Sequence, residues 1–441
     1  MRLGYISLSG VRIRNQELMD LGLSLPGFME RAKTISSLPN LGLLTLAALT
    51  PADITVSYLS LDSFNKENEL PGNFDVVAIS SVTAKIKDAY SLADKFRSKG
   101  TKVILGGIHV TLLPGEAAEH ADTIVLGEGE IYWEKLIEDL KSDNLQKVYD
   151  ARGRSFDLSK SPIPRYDLLD IEQYNRITVQ TQRGCPWSCE FCASSIRISP
   201  KFKTKPINRV EQEIKYIKSL WNKPFIELAD DNTFVDKRYG KELAKIFIGK
   251  NIKWFTETDV SLAEDEELLG LLRDSGCVQV LVGFENSKFS GLDRIELNNN
   301  WKAKQLDKYY KAIQKIQSYG ISVNGCFILG LDGTDSSNFQ DVLNFVKESE
   351  LSDVQITVQT PFPGTPLYER LKKENRLIDC AAWEKCTLFD VNFIPEKMTV
   401  KELEDNFRLL MKELYNEDLV KKRRKLFQTR FKESRKNEKF E

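Results

Sequence analysis

Two long series of short β-rich runs, each alternating with amphipathic helical runs, constrain the fold of this chain more than any other feature. Such alternation is solved by parallel strands joined through helical crossovers, an α/β arrangement. The first series occupies residues 1–150, with strands at Leu3–Ser7, Ile54–Leu61, Val76–Ser81, Val103–Gly106 and Thr123–Leu126 and helices at Leu41–Leu49, Ile86–Ser98 and Ile131–Leu140. The second occupies residues 177–375. Its strands are Ile177–Thr181, Phe225–Leu228, Trp254–Thr258, Val278–Val282, Val323–Leu329 and Val354–Thr360, and its helices include Ala303–Tyr319 and Asn338–Glu350. Residues 151–176, with Pro162 and Pro164, read as a linker. Residues 376–441 read as a C-terminal helical extension with a basic tail. A chain of 441 residues accommodates two domains and an appendage. The connection Leu8–Asn40 is longer than an ordinary βα loop, and such loops are usually functional or mobile.

At the start of the second series, Arg183-Gly184-Cys185-Pro186-Trp187-Ser188-Cys189-Glu190-Phe191-Cys192 sets three cysteines at C-x3-C-x2-C spacing. With 7 cysteines in 441 residues, chance yields that pattern on the order of 0.002 times, so coincidence is set aside. Thiolates are the soft ligands that hold iron–sulfur clusters, and three of them leave one iron with an open position. A zinc knuckle would need a fourth Cys or His at short spacing, but the next cysteine is Cys277 and both histidines, His109 and His120, lie upstream. Cys277 and Cys326 fall in apolar strand contexts, and Cys380 and Cys386 read as structural or exposed thiols. The odd cysteine count suits a reducing compartment. With no apolar run long enough to span a membrane and no signal-peptide pattern at Met1–Ser7, the expected location is cytoplasmic. A net charge of −1 gives no global attraction to nucleic acid.

With the aromatic Phe191 just before its third cysteine, the loop resembles the signature of the radical S-adenosylmethionine (SAM) enzymes. The resemblance implies a partial (β/α)6 barrel over 177–375, a [4Fe–4S] cluster on Cys185, Cys189 and Cys192, and SAM chelated to the open iron. Reduction would then cleave SAM to a 5′-deoxyadenosyl radical. Chemistry in such barrels lies at the carboxyl ends of the strands, where Asp230-Asp231-Asn232, Glu257, Gly283 with Glu285, and Ile328, together with Phe191 of the loop, correspond to positions that family members direct at SAM. Gln359–Tyr368 (QTPFPGTPLY) matches the family's closing phrase after the sixth strand.

The polar and glycine-rich turns of the first series resemble the Rossmann-like cobalamin-binding domain that precedes the barrel in one branch of these enzymes, hopanoid methylases included. Those turns carry Ser80, Ser81 and Thr83; Gly106, Gly107 and His109; and Gly127, Glu128 and Gly129. Glycine there permits close approach of backbone to a bulky ligand. An Asp-x-His-x-x-Gly motif, through which many cobalamin proteins ligate cobalt, is absent, which argues against a histidine on the metal. The resemblance implies cobalamin-dependent methylation of an unactivated carbon of a small molecule or lipid, with a low-potential donor such as flavodoxin or ferredoxin. Two alternatives stay open: a cobalamin-independent cyclisation or carbon–carbon bond formation with a vestigial first domain, and a non-catalytic redox sensor. The tail from Lys421 reads as a solvated, frayed end, the alternative being peripheral contact with an anionic membrane.

Overall fold

The computed structural model describes residues 1–8, 38–65, 67–193 and 201–437. The expected Leu8–Asn40 connection therefore lies almost wholly outside the described residues.

Strands β1 (Arg2–Leu8), β2 (Thr55–Leu61), β3 (Val76–Ser81), β4 (Lys102–Gly106), β5 (Thr123–Leu126) and β6 (Val148–Asp150) form one sheet in the order β2-β1-β3-β4-β5-β6. Every pairing in it is parallel. The central strands are apolar along their whole length because helices cover both faces. Leu3, Tyr5, Val76, Ala78 and Ile104 pack under helices Leu41–Ala48 and Trp133–Lys141. The alternate residues Ile6, Val77, Ile79, Val103 and Leu105 pack under Ile86–Ser98. Strand order reverses direction between β1 and β3, the place where open α/β sheets hold ligands beyond their carboxyl ends. The three-residue β6 was too short to register in the sequence.

A second all-parallel sheet follows, made of β7 (Ile177–Val179), β10 (Phe225–Leu228), β11 (Lys253–Thr258), β12 (Cys277–Glu285), β13 (Ser322–Leu329) and β14 (Asp353–Val358), in the order β14-β13-β12-β11-β10-β7. Among the described residues β7 and β14 are not paired, so the barrel is partial. Ile226, Leu228, Trp254, Val280 and Val282 are fully buried in the layer beneath the helices. Each such large side chain contributes about 1.5–3 kcal/mol. By strand alternation, Glu227, Phe255, Glu257, Gln279 and Leu281 take the interior face. A small antiparallel pair, β8 (Gln182–Arg183) with β9 (Lys203–Thr204), closes the base of the cysteine loop.

Three expectations need correction. The helix expected at Ala303–Tyr319 is broken into Trp301–Lys304, a tight turn at Leu306–Lys308, and Tyr309–Ser318. The break lets Lys302 turn inward while the Tyr309 hydroxyl donates to the Phe284 carbonyl at 2.9 Å. The sixth strand stops at Val358, because Pro361 has no N–H to extend the ladder. The tail is no frayed end over its described part: helix Glu417–Asn437 lies on the barrel, with Arg423 donating to the Leu414 carbonyl, Arg430 paired to Glu350 and the Phe431 ring covering Gly320. The extension also reaches back to the first sheet, where Trp383 and Cys386 join its buried layer. No helix among the described residues is long and apolar enough to cross a membrane.

Candidate functional site

The cysteine loop leaves β7 at the carboxyl end of the barrel, and Asp230 just after β10 pins its departure. The Asp230 carboxylate accepts from the Thr181 and Gln182 amides at 2.7 and 2.9 Å and from the Thr181 and Thr233 hydroxyls at 2.5 and 3.2 Å. Burial pushes this carboxyl up to about 6 although all four donors work the other way. Asp231 accepts from the Gly184 amide at 3.0 Å. Gly184 sits at φ +83°, where a side chain would be strained. Asn232 donates to Asp259 at 2.7 Å, and the same Asp259 oxygen accepts from the Trp187 indole at 3.2 Å. Of the three residues expected to meet SAM here, Asp230 and Asn232 thus hold the loop in place, and Asp231 lies nearest the open space.

Cys189 is buried, and Cys185 and Cys192 are half-buried. Burial pushes the thiols of Cys185 and Cys189 up to about 11 and about 12, so ligation would release their protons. Three soft sulfurs on one loop are the donor set that an iron–sulfur cluster with an open iron takes. The remaining cysteines are placed elsewhere: Cys277 begins β12 at the far end of the barrel, Cys326 lies within β13, Cys380 is exposed and Cys386 packs against the first sheet. Phe191 packs against the barrel core.

Around the strand ends several carboxylates converge. Glu227 is paired with Arg176, whose guanidinium also lies 5.4 Å from the centre of the Phe255 ring. Glu285, at φ +63°, accepts from Lys302 at 2.8 Å, and Lys302 donates as well to the Gly283 carbonyl at 2.7 Å. A Cβ on Gly283 would come within 2.4 Å of the Glu285 carboxylate, which explains glycine there. Glu257 is accessible from the barrel interior yet enclosed. Burial and the like charges of Glu227, Asp231 and Glu285 push its carboxyl up to about 7. Ile328 is buried on β13.

Beyond the carboxyl ends of β3, β4 and β5 lies a cavity of about 390 Å³. Ser80, Gly106, Gly107, Gly127, Glu128 and Gly129 line it, together with Arg183, Gly184, Ala229 and Asp231 from the barrel. Gly107 and Gly127 adopt positive φ, and a Cβ on Gly107 would meet Ser80 Oγ at 2.8 Å. Gly106 and Gly129 have no such demand: a Cβ there would make only ordinary contacts of 3.6 Å. Their missing side chains leave room in the cavity. Ser81, Thr83 and His109 do not line the cavity. His109 turns to the opposite face, fully buried, 5.4 Å edge-on to Trp383 and 3.4 Å from Glu116. Burial holds its pKa below the usual imidazole value.

The two sites are joined. Glu128 accepts from Arg183 at 3.0 Å, from Lys203 at 2.6 Å and from the Phe156 amide at 2.6 Å, and Arg183 also donates to Glu130 at 2.5 Å. Arg183 lay inside the cysteine motif, and its basic charge opposite the acidic Glu128-Gly129-Glu130 turn was a signal that went unread.

The Radical SAM superfamily profile matches residues 179–346, the B12 binding domain profile residues 31–137, and a domain of unknown function (DUF4070) residues 365–441. A bacteriochlorophyllide d C-12(1)-methyltransferase of Chlorobaculum tepidum is 27% identical over 87% of this chain and 84% of its own length. The hopanoid C-2 methylase of Rhodopseudomonas palustris is 24% identical over 77% of this chain and 66% of its own. Among solved structures, the cobalamin-dependent SAM radical enzyme OxsB, with aqua-cobalamin and SAM bound, superposes with a TM-score of 0.60 at 16% identity. That match covers 85% of this chain and 55% of OxsB, and it shows the shared fold. The chain therefore carries a Radical SAM domain, the domain of enzymes that use a [4Fe–4S] cluster and S-adenosylmethionine, and ahead of it a B12-binding domain.

Proposed function

We propose that this enzyme is a cobalamin-dependent radical SAM methyltransferase acting on an unactivated carbon. One observation carries the reading: a single cavity is lined both by the glycine turns of the first sheet and by Arg183, Gly184 and Asp231 at the root of the cysteine loop. When bound, the corrin and the cluster with SAM supply methyl transfer and radical generation respectively. The protein's own share is geometric. Cys185, Cys189 and Cys192 ligate the cluster; Asp230 and Asn232 hold the loop; Asp231, Glu257 and Glu285 present carboxylates to the SAM cation. Ser80, Gly106, Gly107, Gly127 and Gly129 cradle the corrin, and Glu128 ties that cradle to Arg183.

Radical SAM enzymes need a small-molecule substrate and a reductant. Here the substrate proposed is a bulky, largely apolar small molecule or lipid, on the likeness to relatives named for bacteriochlorophyllide d and hopanoids. The reductant proposed is a flavodoxin or ferredoxin, and the compartment the cytoplasm. Protein purified without oxygen should contain corrinoid and iron. With substrate it should form S-adenosylhomocysteine and 5′-deoxyadenosine together. Turnover that yields 5′-deoxyadenosine but never S-adenosylhomocysteine would overturn methyl transfer and leave a ring- or bond-forming radical enzyme.

A further inference from the structure

The segment Gly291–Trp301, which follows β12, runs back against the cysteine loop. Glu296 forms an antiparallel bridge with Cys189 itself. Around that bridge, the Glu190 amide donates to the Ile295 carbonyl at 2.8 Å, and the Leu297 amide donates to the Ser188 carbonyl at 3.0 Å. The Glu296 carboxylate accepts from four backbone amides, those of Ser188 (3.3 Å), Asn298 (3.2 Å), Asn299 (3.1 Å) and Trp301 (3.2 Å). One of the four belongs to the cysteine loop and three to the segment's own turn, so one anion holds both chains. Asn298 adds a bond to the Ser188 hydroxyl at 3.1 Å, and Trp301 stacks on Trp187 at 4.4 Å between ring centres.

The next residue is Lys302, which points the other way, into the barrel, and clamps the Glu285 side chain and the Gly283 carbonyl. Both members of that ion pair are buried. Within eight consecutive residues the segment therefore reaches both the loop that carries the cysteines and the strand end that carries Glu285. Ile295 is itself buried in the barrel core and Trp301 packs against it, while Glu296 and Lys302 make polar contacts.

We propose that Ile295–Lys302 is a strap that fixes the distance between the cluster and the SAM-facing carboxylate, with Glu296 positioning the cysteine loop and Lys302 positioning Glu285. The inference rests on the proposed cluster and SAM assignment. Both side chains are positioning residues: they act on groups that touch iron or SAM, and neither is placed in contact with either cofactor.

The test uses the full chain, reconstituted with iron and sulfide under anaerobic conditions, and reads iron per chain, the electron paramagnetic resonance signal of the reduced cluster with and without SAM, and the SAM dissociation constant. Lys302→Met should retain iron but weaken SAM binding roughly 10–100-fold, the range found when groups that orient ligands are removed, and should blunt the spectral change that SAM causes. Lys302→Arg should restore part of both. Because Lys302→Met leaves Glu285 buried without a partner and could unfold the site, the double variant Lys302→Met with Glu285→Gln removes both charges. It should regain thermal stability without regaining SAM affinity. Glu296→Gln, with one acceptor oxygen in place of two, should lower iron per chain. Wild-type SAM affinity and spectral response in folded Lys302→Met, or full SAM affinity in the double variant, would overturn the strap. Failure of the wild-type protein to load iron or cleave SAM would instead overturn the functional reading beneath it.

Discussion

On the proposed reading, the cofactor-facing positions at the mouth of the barrel are reactive side chains, and at the ends of the first sheet they are the lack of side chains. The cysteine loop is held by anions that the protein satisfies internally: Asp230 with four donors, Glu296 with four, and Glu190 with the Arg370 guanidinium at 2.8 Å. The opposing cavity has a floor of glycines, two of which the protein's own packing does not require. On that reading one site would recognise its occupant by bond formation and the other by shape. Loss of a single atom should therefore destroy the first, whereas the second should fail only when something is added.

The largest expected effect follows from that contrast. Cys189→Ala should reduce iron per chain to background and abolish SAM cleavage while leaving corrinoid content near that of wild type. Loss of both cofactors together would show that the two regions are not independently built. Its mirror image is Gly106→Leu. A Cβ is tolerated there, but the longer side chain fills the cavity floor, so corrinoid per chain should fall more than about tenfold with iron retained. Gly106→Leu protein that still carries full corrinoid would place the ligand elsewhere.

Next in size is the seam between the regions. Glu128 is buried, which alone would raise its carboxyl, but Lys203, the Phe156 amide and Arg183 outweigh burial and hold it below the ordinary carboxylate range. A depressed acid contributes stability that is present above its unfolded pKa and lost as pH falls through the folded one. Glu128→Gln should lower thermal stability by about 2 kcal/mol near neutrality, and the deficit should shrink on acidification toward pH 3. A deficit that grows with acid would mean that the Arg183 and Lys203 contacts do not govern the seam.

The contrast also explains what was legible in the sequence. Both sheets could be read from the alternation of short β-rich runs with amphipathic helical runs, and most strand limits fall within a residue or two, because short apolar runs bounded by turn residues mark strands buried on both faces. Cysteine spacing is chemistry written in order along the chain. A cavity floor is different: glycine is written alike whether it serves a turn, as Gly127 does at φ +77°, or leaves room, as Gly129 does. His109 looked like part of the same turn, yet one residue past Gly107 the chain enters a helix that sends the imidazole to the opposite face. Asp230 and Asp231 are adjacent and look equivalent, but one is buried among four donors and the other borders the cavity. Lys302 was invisible because its partner Glu285 lies 17 residues earlier, and only the break in the helix turns it inward.

The smallest effect, and the finest test of the carboxylate side of the contrast, concerns Glu257. Burial first, then Glu227, Asp231 and Glu285, raise its carboxyl to about 7. In the ligand-free protein a raised acid favours the folded state while protonated, so its contribution to stability declines as pH rises from the ordinary carboxylate range through about 7. A bound cation reverses the preference, since only the ionised form attracts it. SAM affinity in the wild type should accordingly rise about tenfold between roughly pH 6 and pH 8, the span over which a group of that pKa ionises. Glu257→Gln should flatten both slopes, the fall in stability measured by thermal unfolding and the rise in affinity measured by titration. A Glu257→Gln enzyme whose SAM affinity keeps the wild-type pH dependence would remove Glu257 from the cation's surroundings and leave Asp231 and Glu285 as the carboxylates that face it.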